Sequence, residues 1–393
     1  MSELFHQVAS IDYPILDADA HVNEPPNLWL DRMPKKWKDR APRVVNTENG
    51  DFWHFDEGKG VFPVGLTGVA GLGYLDFKPW GFRYEDLRPG HFETKARLED
   101  MDADGIYLGV QYPSITLRGA GSYTDDRDLQ LACVRAYNEW MAEFCDGSNG
   151  RLVGLGIIPT TGVEDAVAEL KWCIENGHKG VIITRFPNGD FDPEPGDDAF
   201  WGLAAEAKMP VSVHIGSFHR DVKSAQAPNW ESLQFVGNAC LVKSGGHTLP
   251  VACDLIFAGI WDSFPDLRLV MVEANIGWIP TLLEQSDDMF SRYRWYTKAV
   301  ETMKSTPSEI FHKHFYAAFM IDTFGIENRH HMNKHHLLWS TDYPHSGSDW
   351  PNSRATLLRN FRGIPAEDVK LMIHTNCRDL YNLDYVPDRF GDE

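Results

Sequence analysis

From about Phe92 onward, short apolar runs alternate with longer stretches in which apolar residues recur every three or four positions. Runs of the first kind predict buried strands, and stretches of the second kind predict amphipathic helices. The strands expected are Ile106–Tyr112, Leu152–Ile158, Gly180–Thr184, Val211–Ile215, Leu269–Glu273, Phe315–Phe319 and Leu337–Ser340. The helices expected are about Leu129–Phe144, Val163–Glu175, Phe200–Ala207, Trp230–Val242, Pro250–Asp262, Ile279–Met303, Phe324–Lys334 and Ala366–His374. One more apolar run, entered from Pro14 and ending near Glu24, adds a strand at the N-terminal end. Eight strands interleaved with helices is the count of an α/β (β/α)8 TIM barrel. An open doubly wound sheet is the competitor, weakened because polar residues stand where a Gly-rich phosphate loop would follow the first strand.

The pattern breaks once, over Asn23 to Gly90, a stretch rich in Pro, Gly, Trp and Phe without clear periodicity. A segment this long between regular elements reads as a functional insertion, here 23–90 within one barrel domain spanning 1–393. Its aromatics (Trp29, Trp37, Phe52, Trp53, Phe55, Phe62, Tyr74, Phe77, Trp80, Phe82) either close an apolar substrate pocket as a lid or give the insertion a core of its own.

Charge and cysteines narrow the function classes. A formal net charge of -20 disfavours nucleic acid or an anionic membrane as partner. The cysteines Cys133, Cys145, Cys173, Cys240, Cys253 and Cys377 form no CxxC pair, which suits reduced core residues in a cytoplasmic protein. No signal peptide or membrane-spanning run is expected. The expected partners are a small-molecule substrate and further copies of the chain in a homo-oligomer.

In a barrel, chemistry sits at the C-terminal ends of the strands. The first strand ends Asp17-Ala18-Asp19-Ala20-His21-Val22-Asn23-Glu24; residues two apart share a face, so Asp19 and His21 can grip one ion together. Val211-Ser212-Val213 ends in His214, with His219 on the loop beyond, and Leu269–Val272 ends in Glu273. The last strand runs into Ser340-Thr341-Asp342-Tyr343-Pro344-His345. A single strand-end histidine is usually structural; four strands of one barrel ending in Asp, His or Glu point to a site.

Asp19-Ala20-His21, His214 and Ser340-Thr341-Asp342-Tyr343-Pro344-His345 together resemble the metal-binding signature of the amidohydrolase superfamily. The branch is that of amidohydrolase-related proteins, which includes aminocarboxymuconate-semialdehyde, γ-resorcylate and carboxyvanillate decarboxylases. Supporting stretches are Arg97–Asp102, Asp104–Ile106, Arg151–Gly156 and Gly277–Pro280. The resemblance implies a barrel of the metal-dependent hydrolase type with Asp19, His21, His214 and Asp342 as ligands of a divalent ion. Two departures stand out. Asp19 replaces the first of two histidines on the first strand, and Ala274, beside Glu273, replaces a sixth-strand histidine.

Carboxylates in place of imidazoles harden the site, so Mn, Fe or Mg fits at least as well as Zn. Glu24 and Glu273 are candidates to bridge a second ion. Three chemistries compete. A decarboxylase would use His345 or His219 as the acid that protonates the carbon losing carbon dioxide. A hydrolase would use Asp342 to take a proton from water, with His345 or His219 steadying the oxyanion. Two histidines with a carboxylate is also the ligand set of non-heme iron oxygenases, with one or two irons. A metal-free binding module is the non-enzymatic reading. Arg185, ending the fourth strand, is the candidate for pairing with a substrate carboxylate. The leading expectation is a metal-dependent lyase or hydrolase acting on an organic acid or its derivative.

Overall fold

The computed structural model describes residues 11–58, 60–73, 75–78, 80–117, 119–218 and 246–391. Eight parallel strands form one sheet: β1 (Leu16–Val22), β5 (Leu108–Pro113), β6 (Leu152–Ile157), β7 (Gly180–Ile182), β8 (Val211–His214), β9 (Leu269–Val272), β10 (Phe315–Phe319) and β11 (Leu337–Trp339). Each pairs with the next in that order. The circle closes just past β11, where Asp342 N–H donates to the Asp19 carbonyl (2.9 Å) and His21 N–H to the Tyr343 carbonyl (2.6 Å). The fold is therefore the expected (β/α)8 barrel.

Strand sequences such as LGVQYP and LVGLGI are buried along their whole length because helices cover the outside while side chains fill the inside. The helix Arg127–Asp146 shows how the outer layer is built. Asp126 caps it by accepting from Leu129 N–H (3.2 Å), and Leu129, Cys133, Val134, Tyr137, Trp140, Met141 and Phe144 are buried at helical spacing. Val163–Glu175 packs close because β6 carries Gly156, where an added Cβ would lie 2.4 Å from Cys173 Sγ.

Three expected helices end early: Pro250–Asp262 is observed as Thr248–Ile256, and the other two stop for local reasons. Ile279–Met303 stops at Tyr293, since the buried stripe ends at Phe290 and the chain resumes as Ala299–Thr302 after Lys298 takes a left-handed φ of 61°. Phe324–Lys334 is a short helix, Thr323–Glu327, followed by single 3-10 turns through a polar His-rich stretch. Thr94–Asp104, Pro307–His314 and Ser353–Asn360 are helices beyond those expected. Trp230–Val242 lies outside the described residues.

The segment without periodicity contains a three-stranded antiparallel sheet, β2 (Arg43–Thr47), β3 (Gly50–Phe55) and β4 (Gly60–Pro63). Thr47 pairs with Gly50 across a two-residue turn, Glu48-Asn49, and Gly50 takes the φ of 108° that favours glycine. Its aromatics divide. Trp53 packs edge-on against Trp29 (5.6 Å between centroids), and both belong to the apolar core that includes the barrel. Residues further along reach the barrel mouth instead: Val69 and Ala70 N–H groups both donate to the Pro344 carbonyl at 3.1 Å. Trp53→Ala is expected to cost about 3 kcal/mol or more of stability, as large core truncations do, seen as a lowered thermal midpoint. An unchanged midpoint would detach Trp53 from the core.

Candidate metal centre

Asp19, His21, His214 and Asp342 converge at the C-terminal mouth of the barrel. His21 Nε2 lies 3.3 Å from Asp19 Oδ1 and 3.3 Å from Asp342 Oδ1, and His214 Nε2 lies 3.5 Å from Asp19 Oδ1. All four residues are buried, at 0–2% exposure.

Local structure aims each group. A register shift in β1 between Asp17 and Ala20 breaks simple alternation. Asp19 and His21 face the mouth, whereas Asp17 and Ala20 line a space behind the strand with Arg97, Gln111 and Tyr343. There Asp17 accepts from the Thr341 N–H (2.8 Å) and its hydroxyl and from Asp19 N–H (3.2 Å), which ties β1 to the segment carrying Asp342. Asp342 itself holds a left-handed φ of 57°, and Glu273 one of 53°. A non-glycine residue in that region costs about 1 kcal/mol or more, and such strain collects at functional sites.

The histidine tautomers follow from their outer bonds. His21 Nδ1–H donates to the Pro113 carbonyl (2.8 Å), and His214 Nδ1 faces the Ile215 carbonyl (3.2 Å). A carbonyl can only accept, so Nδ1 carries the proton and each Nε2 presents a lone pair to the cluster. Within the described residues, His21 Nε2, His214 Nε2, Asp342 Oδ1 and both Asp19 carboxylate oxygens have no hydrogen-bond partner. Buried, unpaired polar atoms of this kind are costly unless a charge of opposite sign sits among them. A divalent cation fits that donor set.

Electrostatics says the same thing. Burial would raise the Asp19 carboxyl, yet positive charge on the neighbouring His214 and His21 imidazoles would hold it well below the usual carboxylate range. Burial would lower the His21 imidazole, but Asp19 and then Asp342 push it up to about 10. The two carboxylates thus demand positive charge at this point, from protonated imidazoles or from a metal.

His345 joins the cluster. Its backbone N–H closes a turn onto the Asp342 carbonyl (2.8 Å), its Nδ1 lies 3.2 Å from Asp342 Oδ1, and its ring stacks on His21 at 3.7 Å. Burial, reinforced by His21, lowers it to about 4. Neither glutamate joins the ligand atoms grouped within 4.8 Å of one another. Glu24 gives its carboxylate to the backbone N–H groups of Ser114 (3.3 Å) and Ile115 (3.2 Å), and it is fully buried there. Glu273 stands to the side, its Oε2 3.8 Å from His214 Nδ1 and its side chain 24% exposed. Arg185 is half-buried, donating to the Gly189 carbonyl (3.1 Å) with its guanidinium 4.8 Å over the Phe191 ring. His219 lies outside the described residues. Asp17, Thr341 and Ser114 were not expected; only the i, i+2 repeat of Asp17, Asp19 and His21 hints at the first.

The comparisons with known proteins agree with this fold. A family profile described as Amidohydrolase matches residues 17–383. A curated relative, the 2-amino-3-carboxymuconate-6-semialdehyde decarboxylase of Dictyostelium discoideum, is 22% identical over 188 residues, 47% of this chain. That match spans about half the relative's length, 49%. Among solved structures, an amidohydrolase from Mycobacterium avium subsp. paratuberculosis superposes with a TM-score of 0.77 at 19% identity, covering 95% of this chain and 100% of that one. A dihydroxybenzoic acid decarboxylase from a Polaromonas species, holding manganese and the inhibitor 2-nitroresorcinol, gives 0.63 at 16%, covering 94% and 97%. At such identities the structural likeness establishes the barrel and nothing finer.

Proposed function

The chain belongs to the amidohydrolase family, and from that premise we propose that it is a metal-dependent decarboxylase of a carboxylic acid bearing a hydroxyl or carbonyl beside its carboxyl group. The observation that carries the reading is the set of unpartnered ligand atoms on Asp19, His21, His214 and Asp342 at the barrel mouth. The relatives of named activity are decarboxylases, and one of them holds manganese, which supports manganese over zinc in this two-carboxylate site. Nothing in the comparisons supports the oxygenase alternative.

Asp19, His21, His214 and Asp342 would hold a divalent ion, which would supply Lewis-acid charge to an anionic substrate. The rest of the work falls to protein groups. His345, stacked on His21 and beside the Asp342 carboxylate, is neutral at rest, takes up a proton from solvent and delivers it to the carbon that bears the carboxylate. The bond to the carboxylate then breaks, its electron pair returns to the carbon skeleton, and carbon dioxide leaves. Arg185 pairs with a second anionic group of the substrate, and the 23–90 insertion, whose Val69 and Ala70 hold the Pro344 carbonyl beside His345, keeps water out. No helix among the described residues is long and apolar enough to cross a membrane, and the described cysteines are free, which supports a reducing, cytoplasmic setting. Assembly as a homo-oligomer belongs to the same proposal.

The test is carbon dioxide release by manganese-loaded enzyme from a panel of ortho-hydroxybenzoates, abolished by a chelator and restored by the metal. Release of an acid from ester, amide or thioester substrates, with no decarboxylation, would assign the site to hydrolysis. Arg185→Gln is expected to raise KM about tenfold or more, the worth of one charged hydrogen bond, with kcat less affected. An unchanged KM would leave Arg185 as a brace for the Gly189 loop.

A further inference from the structure

The turn that ends β5 reaches both sides of the site. The Pro113 carbonyl orients His21 (2.8 Å), and the next residue, Ser114, places its hydroxyl 3.1 Å from His345 Nε2. Ser114 is 2% exposed, and its backbone does not move freely: Glu24 accepts from the N–H groups of Ser114 and Ile115 and from the Thr116 hydroxyl (3.5 Å). On the far side of the imidazole, Nδ1 faces Asp342 Oδ1 at 3.2 Å. A neutral imidazole has one N–H and one lone pair. A nearby carboxylate can only accept, which favours the proton on Nδ1 and leaves Nε2 to accept from the serine hydroxyl.

We propose that Ser114 is a positioning residue that fixes the ring orientation and tautomer of His345, and that Glu24 anchors Ser114 for this purpose. The proposal rests on the reading of His345 as the acid–base group, and it gives Glu24 a task other than binding metal. Without the hydroxyl, Nε2 is a buried acceptor with no donor, and nothing distinguishes the two ring flips except the carboxylate.

The order Ser114, His345, Asp342 also has the layout of a nucleophile with its base and orienting acid. The geometry argues against that use. An acyl-transfer serine needs nearby backbone N–H groups free to hold an oxyanion, and those of Ser114 and Ile115 are already given to Glu24. The serine is held to orient, not to attack.

The experiment uses full-length protein loaded with zinc, which is diamagnetic, and labelled with nitrogen-15 at histidine. The resonances of His345 are those absent from His345→Gln. Wild type should show the Nδ1–H tautomer, Ser114→Ala a mixture or the Nε2–H form, and Ser114→Thr, which keeps the hydroxyl, the wild-type pattern. Zinc content should hold in all of them. With a turned-over substrate, Ser114→Ala should lose about tenfold in kcat, in the range of losses for orienting partners, at nearly unchanged KM, with threonine restoring it. An Nε2–H tautomer in wild type, an unaltered tautomer in Ser114→Ala, or covalent labelling of Ser114 by a fluorophosphonate would overturn the proposal. The tautomer is read without turnover, so an enzyme that proves not to decarboxylate refutes the earlier reading and leaves this one to be judged on its own.

Discussion

Replacing His214 by alanine is expected to empty the metal centre while the barrel stays folded. His214 supplies one of two imidazole Nε2 atoms from the last residue of β8, its ring set against His21 and Tyr112. Losing even an orienting partner of a ligand costs about 10–100-fold in affinity, so losing the ligand itself should cost roughly a hundredfold or more. Elemental analysis after removal of excess manganese would read the loss, and circular dichroism the retained fold. Full occupancy in this variant would strike His214 from the ligand set.

The second large effect is on turnover and concerns His345. Its Nδ1 lies beside Asp342, its Nε2 beside Ser114, and its ring lies flat on His21, so it adjoins two members of the proposed ligand set. His345→Gln should lower kcat by about a hundredfold or more while metal content holds, because a general acid typically contributes that much. A parallel fall in metal would make His345 a ligand. Normal kcat with normal metal would make it structural.

How much of this was legible follows from the physics of each element. Barrel strands are buried on both faces, so they read as uninterrupted apolar runs, and Leu152–Ile157 and Phe315–Phe319 stand where the pattern placed them. The convergence of Asp19, His21, His214 and Asp342 was legible because barrels put chemistry at strand ends. Two missed elements had signals in plain sight. Asn49-Gly50 marks the hairpin of the insertion, and Thr306-Pro307-Ser308-Glu309 is a capping box that opens the helix Pro307–His314. Glu24 is a different case. Its composition-level signature, an acid beside a metal strand, is the same for a ligand as for an anchor, and only the position of the Ser114 and Ile115 N–H groups separates the two. Asp17 was hidden by the register shift in β1, which turns it away from the face it would share with Asp19 under strict alternation.

The central claim is a single divalent centre built by Asp19, His21, His214 and Asp342. Its most direct test is the metal stoichiometry of wild-type protein, saturated with manganese, freed of excess and measured by elemental analysis against protein concentration. One ion per chain is the predicted result; no retained ion, or two ions of which one depends on Glu24 or Glu273, would contradict it.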